Sequence, residues 1–292
     1  MKEFLEAIIL GAVQGLTEFL PISSSGHLSI LQHFMGLSGE GSLALTVFLH
    51  IGTLIAVIAV YYKTFWDMIK EMGLFLKDLF TGKLFKTKPT ENRHMLYMFV
   101  LSCLPLLLIL VPIGNDRTLK DVADILAGDN DIIVEGVMLL ITAALLLFGT
   151  KVQRTSKNIR PRVETKDAFA VGFVQALAAI FPGLSRSGST ISTGMFCGVD
   201  KNYMVRYSFV LGTPAVLAAT ALEFKDVLDG GDVAIDLLPI VVGIIVAAIV
   251  GVASIKLLEK LVKTDKFVIF GYYCLLVGSA VTIAGIAELI IG

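Results

Sequence analysis

The chain has 292 residues, 55% of them hydrophobic and only 17% charged, with a mean hydropathy of +0.82. Lys and Arg number 24 against 25 Asp and Glu, and no basic arm or aromatic–basic alternation offers a footing for nucleic acid. So apolar a chain excludes an ordinary soluble domain and points to an all-α polytopic membrane protein, because runs of ~20 apolar residues cross a hydrocarbon core of roughly 30 Å as helices.

The first element, about 4–35, is apolar but interrupted. Gln14 and Glu18 are four apart, so on a helix they share a face. They also break the apolar run, which therefore does not read as a cleavable leader. Pro21 ends this helix, and Ser23, Ser24, Ser25, Gly26 and His27 form a polar turn into a second one. A span is expected over 43–62, followed by a connection, 63–93, that holds Lys63, Lys70, Lys77, Lys83, Lys86, Lys88 and Arg93. Spans over 94–114 and 132–150 flank the Asp-rich connection 115–131. The connection 151–166 is basic again, with Lys151, Arg154, Lys157, Arg160, Arg162 and Lys166. A second interrupted element, 167–199, precedes spans over 203–222, 235–255 and 267–291, separated by the acidic 223–236 and by 256–266 with its four lysines. Cys103, Cys197 and Cys274 lie far apart in apolar segments and read as small buried hydrophobes.

Excess Lys and Arg mark cytoplasmic loops, so the three basic connections belong inside and the two acidic ones outside. Six spans then alternate without conflict and both termini fall outside. The interrupted elements are expected to be re-entrant helix–loop–helix units, since broken backbone in lipid must be enclosed by protein. One long kinked span for each is the alternative. With one re-entrant unit and three spans per half, the chain is a single membrane domain, 1–292, in two inverted halves, about 1–150 and 166–292.

The two interrupted elements repeat one another. Gly11, Val13, Gln14, Leu16 and Pro21 fall on Gly172, Val174, Gln175, Leu177 and Pro182 at one constant offset. One extra residue then brings Ser23, Ser25 and Gly26 onto Ser185, Ser187 and Gly188. Ile51-Gly52-Thr53 echoes Leu211-Gly212-Thr213 in the same order. Matched polar breaks in apolar surroundings point to one site built by two halves. The halves differ where chemistry is needed: Ala179 stands where the repeat would place a second Glu18, and only the second half has Arg186.

In the first break, hydroxyls and free N–H groups at a helix start suit an anion, and Glu18 is a carboxylate able to hold a divalent cation or take a proton. In the second, Gly183, Ser185, Arg186, Ser187, Gly188 and Thr190 make a cradle whose guanidinium matches phosphate oxygens in a fork. Plain N-capping for the serines and an Arg186–Glu18 ion pair are the structural alternatives. Gly243, Ala247 and Gly251 would permit close helix contact, within one chain or in a homodimer.

The segments QGLTEFLPISSSGH and FPGLSRSGST, with length and span count, resemble the bacterial undecaprenyl-diphosphatase family linked to bacitracin resistance. The resemblance covers essentially the whole chain. It implies an enzyme of the cell (inner) membrane that removes the terminal phosphate of a C55 polyprenyl diphosphate, with a divalent metal, Mg²⁺ or Ca²⁺, and a site open to the outer face. Gln14 stands where the family also has Glu, which shifts the weight to Glu18. On this reading Glu18 and Gln14 hold the metal and Arg186 neutralises the transferred phosphoryl group. Ser24 is the candidate nucleophile, with Ser23, Ser25 and Gly26 beside it, and His27 is the candidate acid or base. The phosphatidic-acid-phosphatase superfamily also pairs an SGH with an SR motif, but adds a later histidine nucleophile. No histidine follows Arg186 here, the four being His27, His33, His50 and His94. A carrier of phosphorylated polyprenyl lipid is the alternative from another class, since inverted repeats with broken helices are a transporter pattern.

Overall fold

The computed structural model describes residues 2–37, 40–82, 90–114, 117–127, 132–229 and 237–291. The first half comprises α1 (Lys2–Phe19), α2 (Ser24–Met35), α3 (Glu40–Val60), α4 (Tyr62–Phe80), α5 (Glu91–Cys103) with a 3₁₀ extension (Leu104–Leu110), a small antiparallel hairpin of β1 (Pro112–Gly114) and β2 (Arg117–Thr118), α6 (Leu119–Ala127) and α7 (Ile133–Thr155). The second comprises α8 (Thr165–Ile180), α9 (Arg186–Phe196), α10 (Lys201–Asp229), α11 (Leu237–Lys263) and α12 (Val268–Ile291).

Among the described residues, five helices are long and apolar enough to cross a membrane: α5 with its extension, α7, the Lys201–Ala221 part of α10, α11 and α12. They match five of the six expected spans. The sixth, 43–62, falls on α3, which passes the same test only together with α4, across a bend of 81°. This is a multi-pass membrane protein, and its burial pattern is inverted accordingly. Leu276, Ile283, Leu289 and Ile249 face outward, whereas Gln14, Glu18, Glu135, Gln175, Ser189 and Thr190 are inside.

One expectation needs correction. The connection 63–93 is not simply a loop, because Tyr62–Phe80 is a 19-residue helix packed on α5. The acidic connection 115–131 likewise contains β2 and α6. Of the cysteines, Cys274 is buried as expected, while Cys103 and Cys197 are half-buried.

Small residues let backbones approach, as the packing of apolar helices in lipid requires. A Cβ built on Gly11 would lie 2.6 Å from the Gly243 carbonyl oxygen, and one on Gly15 would lie 2.5 Å from that of Ala247. Gly251 meets Phe19 and Ala56. The small residues of α11 are therefore consumed inside the chain, against α1 and α3. Each of two central pairs joins corresponding helices of the two halves: α3 packs on α10, and α7 on α12.

The three basic connections meet at one end of the bundle. His94 Nε2 lies 2.9 Å from the Val163 carbonyl oxygen, Arg154 donates to Asp265 at 2.9 Å, and Lys201 pairs with the same carboxylate. Arg160 forks onto Asp167 at 2.7 and 2.9 Å and donates to the Cys197 carbonyl at 2.6 Å, tying the start of α8 to the end of α9.

Candidate active site

Both interrupted elements break where proline and hydroxyl residues forbid a continuous helix. After α1, Leu20, Pro21 and Ile22 make a turn that ends on Ser23, whose φ of 72° lies in the left-handed region that non-glycine residues seldom occupy. Ser23 caps α2, its Oγ accepting from the Gly26 N–H at 3.2 Å. In the second element Gly183 takes φ 84°, and Ser185 caps α9 by accepting from the Gly188 N–H at 3.1 Å. Ser24 and Arg186 are thus the first residues of their helices, the equivalent position in each half.

The two breaks touch. Gly183 N–H donates to Ser25 Oγ at 3.3 Å, and Ser25 Oγ lies 3.4 Å from Ser23 Oγ. A Cβ on Gly26 would stand 3.1 Å from the Gly183 Cα, and one on Gly188 would stand 3.1 Å from the Pro21 carbonyl oxygen. A side chain at either position would push the loops apart by a few tenths of an ångström.

Glu18 is the centre of what they enclose. It is 8% exposed, and its carboxylate is shared between the halves. Oε1 accepts from Arg186 Nη2 at 2.6 Å, while Oε2 accepts from Ser24 Oγ at 2.6 Å and from Gln14 Nε2 at 3.3 Å. The ion-pair alternative raised by the sequence is therefore present, and the Ser24 hydroxyl is held on the same carboxylate. Two buried polar atoms here have no hydrogen-bond partner among the described residues: Arg186 Nη1 and Gln14 Oε1. Each is a committed side chain with one hand free, a donor on the basic side and an acceptor on the acidic side.

Beside the pair lies a narrow cleft between α3 and α10. Thr53, Leu54 and Val57 line it from one side, and Phe209, Gly212, Thr213 and Val216 from the other. The Gly-Thr echo of the sequence thus sits on the wall of the cleft. A Cβ on Gly212 would overlap the Arg186 guanidinium. Pro214 follows within α10 and removes one backbone hydrogen bond beside the cleft.

Other predicted residues are placed differently. His27 does not face Ser24: Nδ1 lies 2.7 Å from the Ser23 carbonyl oxygen and Nε2 lies 2.8 Å from Tyr273 Oη, with the two rings stacked at 5.6 Å. A carbonyl only accepts, so Nδ1 carries the proton and Nε2 accepts from the tyrosine. Thr190 is buried, with its hydroxyl on the Arg186 carbonyl at 2.9 Å and against Ser208 Oγ at 2.6 Å. It locks α9 to α10. Ser187 and Ser185 are buried at the start of α9.

Glu135, Thr142 and Tyr273 were not anticipated. Glu135, 1% exposed at the start of α7, accepts from Ser29 Oγ at 2.8 Å, and its backbone packs on Gly183. Thr142 Oγ1 accepts from the Ser185 N–H at 3.1 Å. Glu135 was findable: a carboxylate inside an apolar span obeys the same rule that singles out Glu18.

Among the described residues no group of three or more His, Cys, Asp and Glu side chains has metal-binding geometry. The oxygens that are gathered (the Glu18 carboxylate, the unpartnered Gln14 Oε1 and the Ser24 hydroxyl) are all hard ligands. That set fits Mg²⁺ or Ca²⁺ in the manner of phosphoryl-transfer sites, where one or two carboxylates suffice because the substrate's phosphates complete the shell.

A family model described as bacitracin resistance protein BacA matches residues 7–280. A protein of Alkaliphilus metalliredigens named undecaprenyl-diphosphatase is 38% identical over 276 residues, covering 94% of this chain and 96% of that one. Proteins of the same name from Methanosphaera stadtmanae and Bacteroides thetaiotaomicron are 37% and 36% identical, covering 95% and 96% of this chain and 96% and 98% of theirs.

Proposed function

This chain belongs to the bacitracin resistance protein BacA family, and on that premise we propose that it hydrolyses undecaprenyl diphosphate to undecaprenyl phosphate and inorganic phosphate. One observation carries the assignment of the site. Arg186 donates through Nη2 to the same carboxylate that holds the Ser24 hydroxyl, and keeps its buried Nη1 without a hydrogen-bond partner among the described residues. A phosphoryl oxygen is the group such a donor lacks.

In the proposed reaction the terminal phosphate enters between Arg186 and the N–H groups at the starts of α2 and α9. Ser24 Oγ attacks its phosphorus as Glu18 Oε2 takes the hydroxyl proton. The bond from phosphorus to the bridging oxygen breaks, and undecaprenyl phosphate leaves with the electron pair. Glu18 hands its proton to the departing phosphate; water then attacks the phosphoserine, and Glu18 takes the water's proton and passes it to Ser24 Oγ as the bond from Oγ to phosphorus breaks and inorganic phosphate is released. Arg186 counters the charge spread over the equatorial oxygens, which is the main demand of phosphoryl transfer. Mg²⁺ or Ca²⁺, held by Glu18 and Gln14, would supply further charge neutralisation on the diphosphate. His27, joined to Tyr273 and Ser23, orients the turn carrying Ser24, while Ser23, Ser25, Gly26, Gly183, Ser185, Ser187 and Gly188 shape the phosphate cradle.

The broken pairs α1–α2 and α8–α9 are re-entrant in this reading. α2 and α9, with 12 and 11 residues, would reach only ~18 and ~16 Å, short of a ~30 Å core. With the basic end inside, the protein sits in the cell membrane with its site open to the outer face. A homodimer would have to use a face other than the small residues of α11. The carrier alternative is not favoured, since the relatives are named as phosphatases.

Solubilised protein given polyprenyl diphosphate and Mg²⁺ should release inorganic phosphate, and should stop doing so when a chelator removes the metal. No release under any metal would overturn the reading. Ser24→Ala should lower turnover by at least ~10²-fold, with metal dependence retained in the remainder. Near-normal turnover in that variant would exclude the phosphoserine and leave direct attack by water.

A further inference from the structure

The strongest feature outside the site is α4. It leaves α3 through an 81° bend, so the two helices do not continue one line across a bilayer. Tyr61, at the corner, donates to Glu259 of α11 at 2.8 Å, which fixes the bend to the bundle.

The side chains of α4 divide into three arcs. One faces the protein: Met68 and Glu71 are buried, and Phe75 packs edge-on against Tyr97 of α5. A second is exposed and apolar, with Trp66, Ile69, Met72, Leu76, Leu79 and Phe80. Between that arc and solvent runs the third: Lys63, Lys70 and Lys77, all exposed. Seven-residue spacing drifts by only ~20° per step on a helix, so the three ammonium groups form one stripe. Lys70 lies 5.4 Å from the centroid of the Trp66 ring, and Lys63 lies 5.9 Å from that of Tyr62. The lysines thus flank the apolar arc where headgroups meet acyl chains.

The acids of α4 are spent elsewhere. Glu71 accepts from Arg93 Nε at 3.1 Å and from the Thr90 hydroxyl at 3.0 Å, and Asp78 accepts from Arg93 Nη1 at 2.5 Å. Only Asp67 is left to offset three lysines, and among the described residues no ion pair holds any of the three. An exposed apolar arc with a basic edge, turned 81° from α3 in a multi-pass membrane protein, complements one partner: an acyl surface with negative headgroups. We propose that α4 lies in the membrane interface and binds anionic phospholipid headgroups through Lys63, Lys70 and Lys77.

Trp66 is the chain's one tryptophan, so its fluorescence reports this helix alone. The whole protein is placed in nanodiscs of phosphatidylcholine, with or without phosphatidylglycerol, and with bromines at shallow or deep acyl positions. Expected are blue-shifted emission, stronger quenching from the shallow position, and a further blue shift with phosphatidylglycerol that high salt reverses. Lys63→Gln/Lys70→Gln/Lys77→Gln should keep the shallow quenching and normal phosphate release but lose the response to phosphatidylglycerol. Water-like emission without quenching would overturn the proposal, and so would stronger quenching from the deep position. A response to phosphatidylglycerol unchanged in the triple variant would remove the lysine stripe from the account. Blue emission that escapes both quenchers and depends on the number of chains per disc would assign the face to a second copy instead.

Discussion

Arg186→Ala is expected to lower phosphate release about 10³-fold, to a small residual rate measured at high enzyme concentration, the scale on which arginine acts in phosphoryl transfer. The guanidinium uses Nη2 on Glu18 and keeps Nη1 free, so it can hold the carboxylate and a phosphate oxygen together. Arg186→Lys should recover little, because a single ammonium cannot make both contacts in one plane. Removing one partner of a buried pair also leaves the other uncompensated, which costs stability on the order of 3–5 kcal/mol in a fully buried site. Arg186 is partly exposed, so the cost here should fall below that range. The two effects separate in the double variant Glu18→Gln/Arg186→Ala. Its melting temperature in detergent should rise above that of Arg186→Ala while turnover stays at or below that residual rate. Turnover that returned with stability would mean that Arg186 only balances Glu18.

The breaks at Pro21 and Pro182 were legible because proline, glycine and clustered hydroxyls are costly in an apolar run, whatever the tertiary fold. The spans were legible for the same reason, and the charge bias placed the three basic connections together, as the contacts His94–Val163 and Arg154–Asp265 bear out. What escaped needed knowledge of neighbours. In α4 three lysines stand among a majority of apolar side chains, and those are divided between the protein and the exposed arc, so which of them stay uncovered could be told only from the packing on α5. Tyr273 lies near the start of a span, where an aromatic residue ordinarily marks the membrane interface. Only the fold sets it on His27. Thr190 shows the converse: its place in the PGLSRSGST segment suggests phosphate, but four residues along a helix returns it to the side of Arg186 that meets α10.

The repeat explains how one carboxylate comes to serve both halves. Ser24 and Arg186 occupy equivalent helix starts, and each aims its side chain at Glu18, which has no counterpart because Ala179 stands in its place. A second acid there would compete for the guanidinium. The Gly-Thr echo has diverged in the same sense. A Cβ on Gly52 would strike the Ile244 carbonyl of α11, so that glycine serves helix packing. Gly212 faces the active-site arginine itself.

Gly212→Ala should therefore act through Arg186. Within a helix, glycine-to-alanine replacement ordinarily stabilises by ~1 kcal/mol, so the variant should fold at least as well wherever the methyl group has room. It has none beside the guanidinium, which must swing away from Glu18 and out of the phosphate's path. A displacement of ~1 Å in such a group can cost on the order of 10²-fold in rate, and a loss of that size is expected in kcat, with little change in KM if the prenyl chain supplies most of the binding. The decisive measurement is a double-mutant cycle. In an Arg186→Ala background the alanine at 212 should be harmless: residual turnover unchanged, and melting temperature equal or higher, since the space left by the guanidinium accepts the methyl group. Equal damage in both backgrounds would make Gly212 a packing residue of α10. No damage in the native background would mean that the arginine reaches the phosphate by another path.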